Sequence, residues 1–243
     1  MQKDRPIVLS IAGFDPCGGA GILADVKTFE QLNTLGMGII TANTLQTEDQ
    51  FFKTEWVALE TILDSIQTLM KRYPISIVKI GIVKDFSFLN AIVQQIRKVN
   101  PNAFIIWDPV LESSSGFRFF QEEDLEKLPK VFAKINLLTP NYLEFLKIKP
   151  FLNTNTSMGI LVKGGHQKNN LGVDVLHHNH QETSFSPNHL NVSDKHGSGC
   201  VLSSAIAAHL ALGKDIKDAC QLGKNYVESF LNSHPSLLGF HHV

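Results

Sequence analysis

Short apolar runs and helically spaced apolar patterns alternate along this chain almost from end to end. Ile7-Val8-Leu9-Ser10-Ile11-Ala12 stops at Gly13 and Asp15-Pro16, which predicts a strand buried on both faces and leading into a turn. Beyond Cys17-Gly18-Gly19-Ala20-Gly21, apolar residues recur at Ile22, Val26, Phe29 and Leu32 with helical spacing. Gly36 closes that pattern before a strand at Ile39-Ile40-Thr41-Ala42. The same reading predicts helices over about 57–73 and 86–99, and strands over 77–80, 103–107, 135–139, 160–163 and 173–177. Two closing helices follow, over about 201–212 and 216–231. Strand and helix in repeated alternation predict an α/β domain with a mainly parallel sheet.

Composition narrows the class without choosing a function. With 243 residues, 43% hydrophobic and 19% charged, the chain has the balance of a soluble globular protein, read as a single domain over 1–243. A formal net charge of -1 and scattered Lys and Arg give no basic field, so nucleic acid is not an expected partner. Cys17, Cys200 and Cys220 form no CxxC pair, which favours free thiols in a reduced compartment. The run Ile7 to Ala12 is too short for a signal-peptide core or a membrane span. Cytoplasmic residence without membrane attachment is the expectation.

In a parallel sheet flanked by helices, ligands bind beyond the C-terminal ends of the strands. Five predicted strands end there in polar or Gly-rich turns: Gly13-Phe14-Asp15, Gly81, Asp108-Pro109, Thr139-Pro140-Asn141 and Lys163-Gly164-Gly165-His166. Each alone is common turn chemistry, but five at one rim point to a site. Near the C-terminus, Lys195-His196-Gly197-Ser198-Gly199-Cys200 precedes an apolar, Ala-rich stretch. It reads as an anion loop at a helix start, with phosphate the natural guest, or as an ordinary Gly-rich entry to a buried helix. Cys200 is either a general base, its thiolate favoured by the helix dipole below the usual pKa of about 8.5, or a small buried hydrophobe.

Other candidates carry similar pairs of readings. Lys163 suits a cation facing phosphates, or a solvated turn residue. Glu144 reads on its own as a helix-start acid, and Asp108 as a turn residue before Pro109. Asp25, four residues after Gly21, could meet a substrate or simply be a first-turn acid. His177, His178 and His180 have no Cys or carboxylate set at ligand spacing and read as strand-end residues. The chain has no G-x-x-x-x-G-K-[ST] run, and Gly18-Gly19-Ala20-Gly21 does not fit G-x-G-x-x-G.

Read as a block, Ala12-Gly13-Phe14-Asp15-Pro16-Cys17-Gly18-Gly19-Ala20-Gly21-Ile22-Leu23-Ala24-Asp25-Val26-Lys27-Thr28-Phe29 resembles the opening of the hydroxymethylpyrimidine and phosphomethylpyrimidine kinases of thiamine biosynthesis, within the ribokinase-like superfamily. The resemblance continues in order through Lys79-Ile80-Gly81, Asp108-Pro109-Val110, Leu138-Thr139-Pro140-Asn141 with Glu144, Val162-Lys163-Gly164-Gly165-His166 and His196-Gly197-Ser198-Gly199-Cys200, to the tail Gly239-Phe240-His241-His242. It implies a three-layer α/β/α ribokinase-like fold with a mainly parallel central sheet, and a homodimer. The implied reaction moves the γ-phosphoryl of ATP, with Mg²⁺, to 4-amino-5-hydroxymethyl-2-methylpyrimidine and then to its monophosphate.

On this resemblance, Asp25 and Gln46 hold the pyrimidine, with Gly13, Ala20, Ile82 and Val110 lining its pocket. Gly197, Ser198, Gly199 and Cys200 offer N–H groups to the migrating phosphoryl, and Cys200 is the base. Lys163 neutralises nucleotide phosphates, while Asn141 and Glu144 position Mg²⁺ and phosphate, Glu144 largely through water and with help from Asp108. The chain departs from the pattern at Ile82 (usually Met), Ser198 (usually Thr) and Cys17 (usually Ser). It is also short between Glu144 and Lys163, where Phe151 to Ser157 leaves little room for a customary helix. Pyridoxal or pyridoxine kinase is the nearest alternative. A sugar kinase would carry Asp at position 200, and a silent pyrimidine-binding protein would not need the whole rim.

Overall fold

Val8, Leu9, Ile11 and Ala12 are sealed from solvent because their strand, β1 (Ile7–Phe14), has a strand on each side and helices on both faces. The computed structural model describes residues 5–112, 119–152, 157–165, 172–189 and 193–242. After β1 come α1 (Gly21–Gln31), β2 (Leu35–Gln46), β3 (Phe51–Trp56), α2 (Leu59–Arg72), β4 (Ile77–Ile80), α3 (Phe86–Val99) and β5 (Phe104–Trp107). Two short helices, α4 (Glu122–Leu125) and α5 (Pro129–Phe132), lead to β6 (Leu137–Leu138), α6 (Tyr142–Ile148), β7 (Gly159–Val162), β8 (Asp174–His178) and β9 (Gln181–Phe185). The chain then closes with α7 (Ser198–Ala211) and α8 (Ile216–Leu231).

Nine described strands form one sheet in the order β3-β2-β1-β4-β5-β6-β7-β8-β9. The inner six run parallel, with β3 antiparallel at one edge and the β8–β9 hairpin antiparallel at the other. Side chains alternate across the sheet as strand geometry requires. Leu9, Ile11, Val78, Ile80, Ile105, Trp107 and Leu138 join a core with α2, α3 and α5. Val8, Ile77, Ile106 and Leu137 join a second core with α1, α7 and α8. The expected three-layer α/β/α architecture with a mainly parallel sheet is therefore present.

Several boundaries differ from expectation. β2 begins at Leu35 and runs on to Gln46, well beyond 39–42. The edge strands β3 and β9 went unpredicted, as did α4 and α5. α7 begins three residues earlier than predicted, because Gly197 is its N-cap in the left-handed region (φ 75°). Of the short segment after Glu144, a single 3₁₀ turn at Lys149–Phe151 follows α6, while 153–156 lie outside the described residues. His166 lies outside them too.

The strand order reverses direction at β1, whose parallel neighbours are β2 and β4. A crevice opens where outgoing connections leave such a sheet on opposite sides. Apart from Asp25, which lies within α1, the candidate residues fall near the C-terminal ends of β1, β2, β4, β5, β6 and β7 or at the start of α7.

Candidate active site

The first and last parts of the site meet through backbone. Gly21 (φ 57°) starts α1 so close to β1 that a Cβ there would lie 2.2 Å from the Gly13 carbonyl oxygen. Gly197 presses equally hard on the first loop: a Cβ there would lie 2.0 Å from the Gly19 carbonyl oxygen. No other residue fits either position without moving backbone. Ser198, Gly199 and Cys200 form the first turn of α7, so their N–H groups lack intrahelical acceptors and the positive end of the helix dipole faces the rim. The expected anion loop is thus a helix start packed against a glycine-rich turn.

Cys200 corrects one expectation. The residue keeps part of its surface open, but its thiol is largely withdrawn from water, which pushes its pKa up to about 11. Lys79 and a hydrogen bond from the Gly21 N–H pull the other way, while Asp25 and Asp108 add to the rise. Desolvation outweighs the helix terminus, so at neutral pH the resting group is a thiol.

Beside it stands a charged pair. Lys163 Nζ donates to Asp108 Oδ1 at 2.7 Å, and a Cβ on Gly199 would lie 3.1 Å from the same Nζ. Burial opposes the ammonium charge, but the Asp108 and Glu144 carboxylates hold the Lys163 pKa above its ordinary value. Asp108 also accepts from Thr139 Oγ1 at 3.1 Å and Ser203 Oγ at 3.2 Å. Asn141 caps α6 in a reciprocal box: the Glu144 N–H donates to Asn141 Oδ1 at 2.9 Å, and the Asn141 N–H donates to Glu144 Oε2 at 2.7 Å. Burial pushes the Glu144 carboxyl up to about 7, even with Lys163 nearby to favour the anion. The Asn-x-x-Glu motif is therefore a helix cap whose buried acid lies within electrostatic reach of Lys163 and Asp108.

At the other side of the crevice, Ile82 lies across Gly13, where a Cβ would come within 2.4 Å of Ile82 Cδ1. Thr41 Oγ1 holds the Ile82 carbonyl at 2.7 Å, and the Val110 N–H closes a tight turn onto the Asp108 carbonyl at 2.8 Å. Gln46 Nε2 donates to Thr44 Oγ1 at 2.8 Å, and Thr44 donates in turn to the Phe14 carbonyl at 2.8 Å. The Ala20 N–H is anchored by Asp15 Oδ2 at 2.8 Å. Gly13, Ala20, Gln46, Ile82 and Val110 therefore border the strand ends.

Asp25 does not. Its carboxylate is fully buried, taking Lys79 Nζ at 2.7 and 2.8 Å, Ser10 Oγ at 2.5 Å and Ser204 Oγ at 2.7 Å. With both oxygens filled from within, Asp25 is not free to hold a substrate amino group, and the expectation is corrected to a structural one. Ser10 and Lys79 are register partners on β1 and β4, while Asp25 sits on α1 and Ser204 on α7. Burial works against the Lys79 charge, but the adjacent Asp25 carboxylate more than compensates and keeps it protonated. Ser203 and Ser204 were missed by motif reasoning, and Lys79 and Thr139, though inside recognised motifs, were given no role of their own. A lysine inside an otherwise apolar strand was the one signal that could have revealed the network.

Replacing Lys79 by Met leaves the Asp25 carboxylate buried without its cation. Lys79→Met should cost about 3–5 kcal/mol in urea unfolding. The double variant Lys79→Met with Asp25→Leu should recover most of that loss, and full stability in the single variant would refute this account of the pair.

The comparisons fit this geometry. The family model described as phosphomethylpyrimidine kinase matches residues 15–242. A hydroxymethylpyrimidine/phosphomethylpyrimidine kinase of Aquifex aeolicus is 32% identical over 243 residues, covering 93% of this chain and 95% of that protein. The crystal structure of phosphomethylpyrimidine kinase from Clostridium difficile 630 superposes with a TM-score of 0.76 at 33% identity, covering 92% of this chain and 98% of that one. A Staphylococcus aureus pyridoxal kinase in complex with ADP shares the fold, with a TM-score of 0.82 at 22% identity over 94% of this chain and 89% of that one. The family match over nearly the whole length, with a relative 32% identical over 93% of the chain, places the chain in the phosphomethylpyrimidine kinase family.

Proposed function

We propose that this protein uses ATP to phosphorylate 4-amino-5-hydroxymethyl-2-methylpyrimidine and then its monophosphate. The observation that carries this reading is the start of α7, where Gly199 and Cys200 lie in the first turn, whose N–H groups have no intrahelical acceptor, and Lys163 Nζ lies beside Gly199. Phosphoryl transfer asks the protein chiefly for positioning and for stabilisation of charge on the migrating group. Gly197, Ser198 and Gly199 meet the transferring phosphoryl, Lys163 meets the nucleotide phosphates, and Cys200 takes the proton of the acceptor hydroxyl. Gln46, Gly13, Ala20, Ile82 and Val110 surround the ring.

The donor set fits Mg²⁺: Glu144 and Asp108 are oxygen donors near the phosphate side, and Glu144 is an anion made costly by burial, which a cation relieves. When bound, the ion neutralises phosphate charge and orients the triphosphate. Asn141 keeps Glu144 aimed at the rim through the capping box, and Asp108 holds Lys163 within reach of the anion loop. We further read the protein as a cytoplasmic homodimer. No described helix is long and apolar enough to cross a membrane, and Leu45 and Phe52 lie 60% exposed on the β2–β3 edge. Sedimentation equilibrium should give twice the chain mass, and Leu45→Glu with Phe52→Glu should shift it toward the monomer.

Assays with hydroxymethylpyrimidine, its monophosphate, pyridoxal and ribose as acceptors test the reaction. Turnover should be greatest on the first two, and pyridoxal as the best acceptor would replace the proposal with vitamin B6 phosphorylation. Cys200→Ala should lower kcat by about 10²–10⁴ if the thiol is the base. Since kcat/KM reports the free enzyme and the resting thiol titrates at about 11, the thiolate fraction grows as pH rises. Log kcat/KM should climb with a slope of about one between pH 7 and 9, and more steeply below 7, where Glu144 also has to ionise. A flat profile in the wild-type enzyme would remove Cys200 from the proton transfer.

A further inference from the structure

Cys17 has no part in the proposed phosphoryl transfer, yet it sits in a cluster built like a metal site. Asp15 is 1% exposed, and its carboxylate accepts from Cys17 Sγ at 3.0 and 3.3 Å and lies 2.9 Å from His196 Nε2. The Cys17 N–H at 3.0 Å and the Ala20 N–H at 2.8 Å also bind it, fixing its orientation. The ligand atoms of Asp15, Cys17 and His196 all lie within 4.8 Å of one another. A tetrahedral zinc ion with Zn–S of ~2.3 Å and Zn–N or Zn–O of ~2.0–2.1 Å has ligand-to-ligand edges of about 3.3–3.6 Å. Small side-chain shifts convert the observed cluster to that geometry.

We propose that Asp15, Cys17 and His196 form a binding site for a thiophilic divalent cation of the Zn²⁺ class, joining the loop after β1 to the loop before α7. The chemistry suits such an ion: one thiolate, one imidazole and one carboxylate, with a fourth position left for water. In the metal-free protein the three groups satisfy one another by hydrogen bonds. Entry of the ion releases the thiol proton to solvent, and neutral His196 carries its remaining proton on Nδ1.

The support is rigid on both sides. The His196 N–H donates to the Leu237 carbonyl at 2.9 Å, and a Cβ on Gly19 would lie 2.7 Å from His196 Cδ2, so the imidazole is wedged against the first loop. With the metal in place, residues 181 positions apart share one ion, and its positive charge lies one residue from Gly197. An occupied site therefore clamps the anion loop and ties the kinase to zinc availability.

Titration of the whole protein with Co²⁺, in buffer free of nucleotide and Mg²⁺, tests the site. One equivalent should bind and produce a sulfur-to-cobalt charge-transfer band that Zn²⁺ abolishes. Cys17→Ser, which exchanges only the chalcogen, should lose the band and weaken Zn²⁺ by more than the roughly 10–100-fold that loss of an outer-shell partner costs. Cys200→Ser should retain the band, and His196→Gln should weaken binding. No band in the wild-type protein, or a band that survives Cys17→Ser, would overturn the proposal, whatever the fate of the kinase assignment.

Discussion

Four elements of this fold are held in register by one buried ion pair. Lys79 on β4 and Asp25 on α1 meet with no exposure to solvent, and Ser10 on β1 and Ser204 on α7 fill the remaining positions around the carboxylate. Such a pair contributes little net stability, because removing two charges from water costs nearly as much as their attraction returns. Its value is in excluding alternatives. Sliding α7 by one residue or rotating α1 would strand a charge in an apolar layer. The placement of Gly21 against Gly13, and of Cys200 beside Gly21, follows from that constraint.

The site at the rim extends the same electrostatics toward solvent. Lys163 and Asp108 neutralise one another, Glu144 is buried to the point of a nearly neutral pKa, and Cys200 is a protonated thiol. The resting crevice therefore carries little unpaired charge. Burial that opposes ionisation in the free protein strengthens every electrostatic contact once water is expelled.

Strands inside the sheet were legible because β1, β4 and β5 are short, mostly apolar runs bounded by turn residues, broken only by Ser10 and Lys79. α3 and α8 were legible because their amphipathic faces are clean. β3 and β9 escaped because FFKTEW and QETSF are half-exposed edge strands whose polar residues leave no apolar run. β2 was begun too late because Gly36 read as punctuation, and the strand runs through it and through Gly38. In the fold Gly38 gives room to Ile22, whose Cδ1 would lie 2.7 Å from a Cβ there. At the site, the loop residues declared themselves through glycine, whereas Asp25, one turn into α1, misled because an aspartate has the same letter whether it faces a ligand or a buried lysine. Distance along the chain hid the rest: nothing local announces that Ser204 and Asp25, 179 positions apart, share a hydrogen bond.

That separation has a consequence for how the molecule comes into being. A ribosome delivers β1, α1 and β4 long before α7, so for most of synthesis the apolar face formed by Val8, Ala24 and Ile77 has no cover, and Asp25 lacks its serine from α7. Only when the last fifth of the polypeptide emerges can Gly197 seat on Gly19 and bring the thiol into the crevice. Competence arrives late and all at once, leaving the growing chain inert toward the metabolites it will later handle and dependent on its surroundings to keep that uncovered face from sticking.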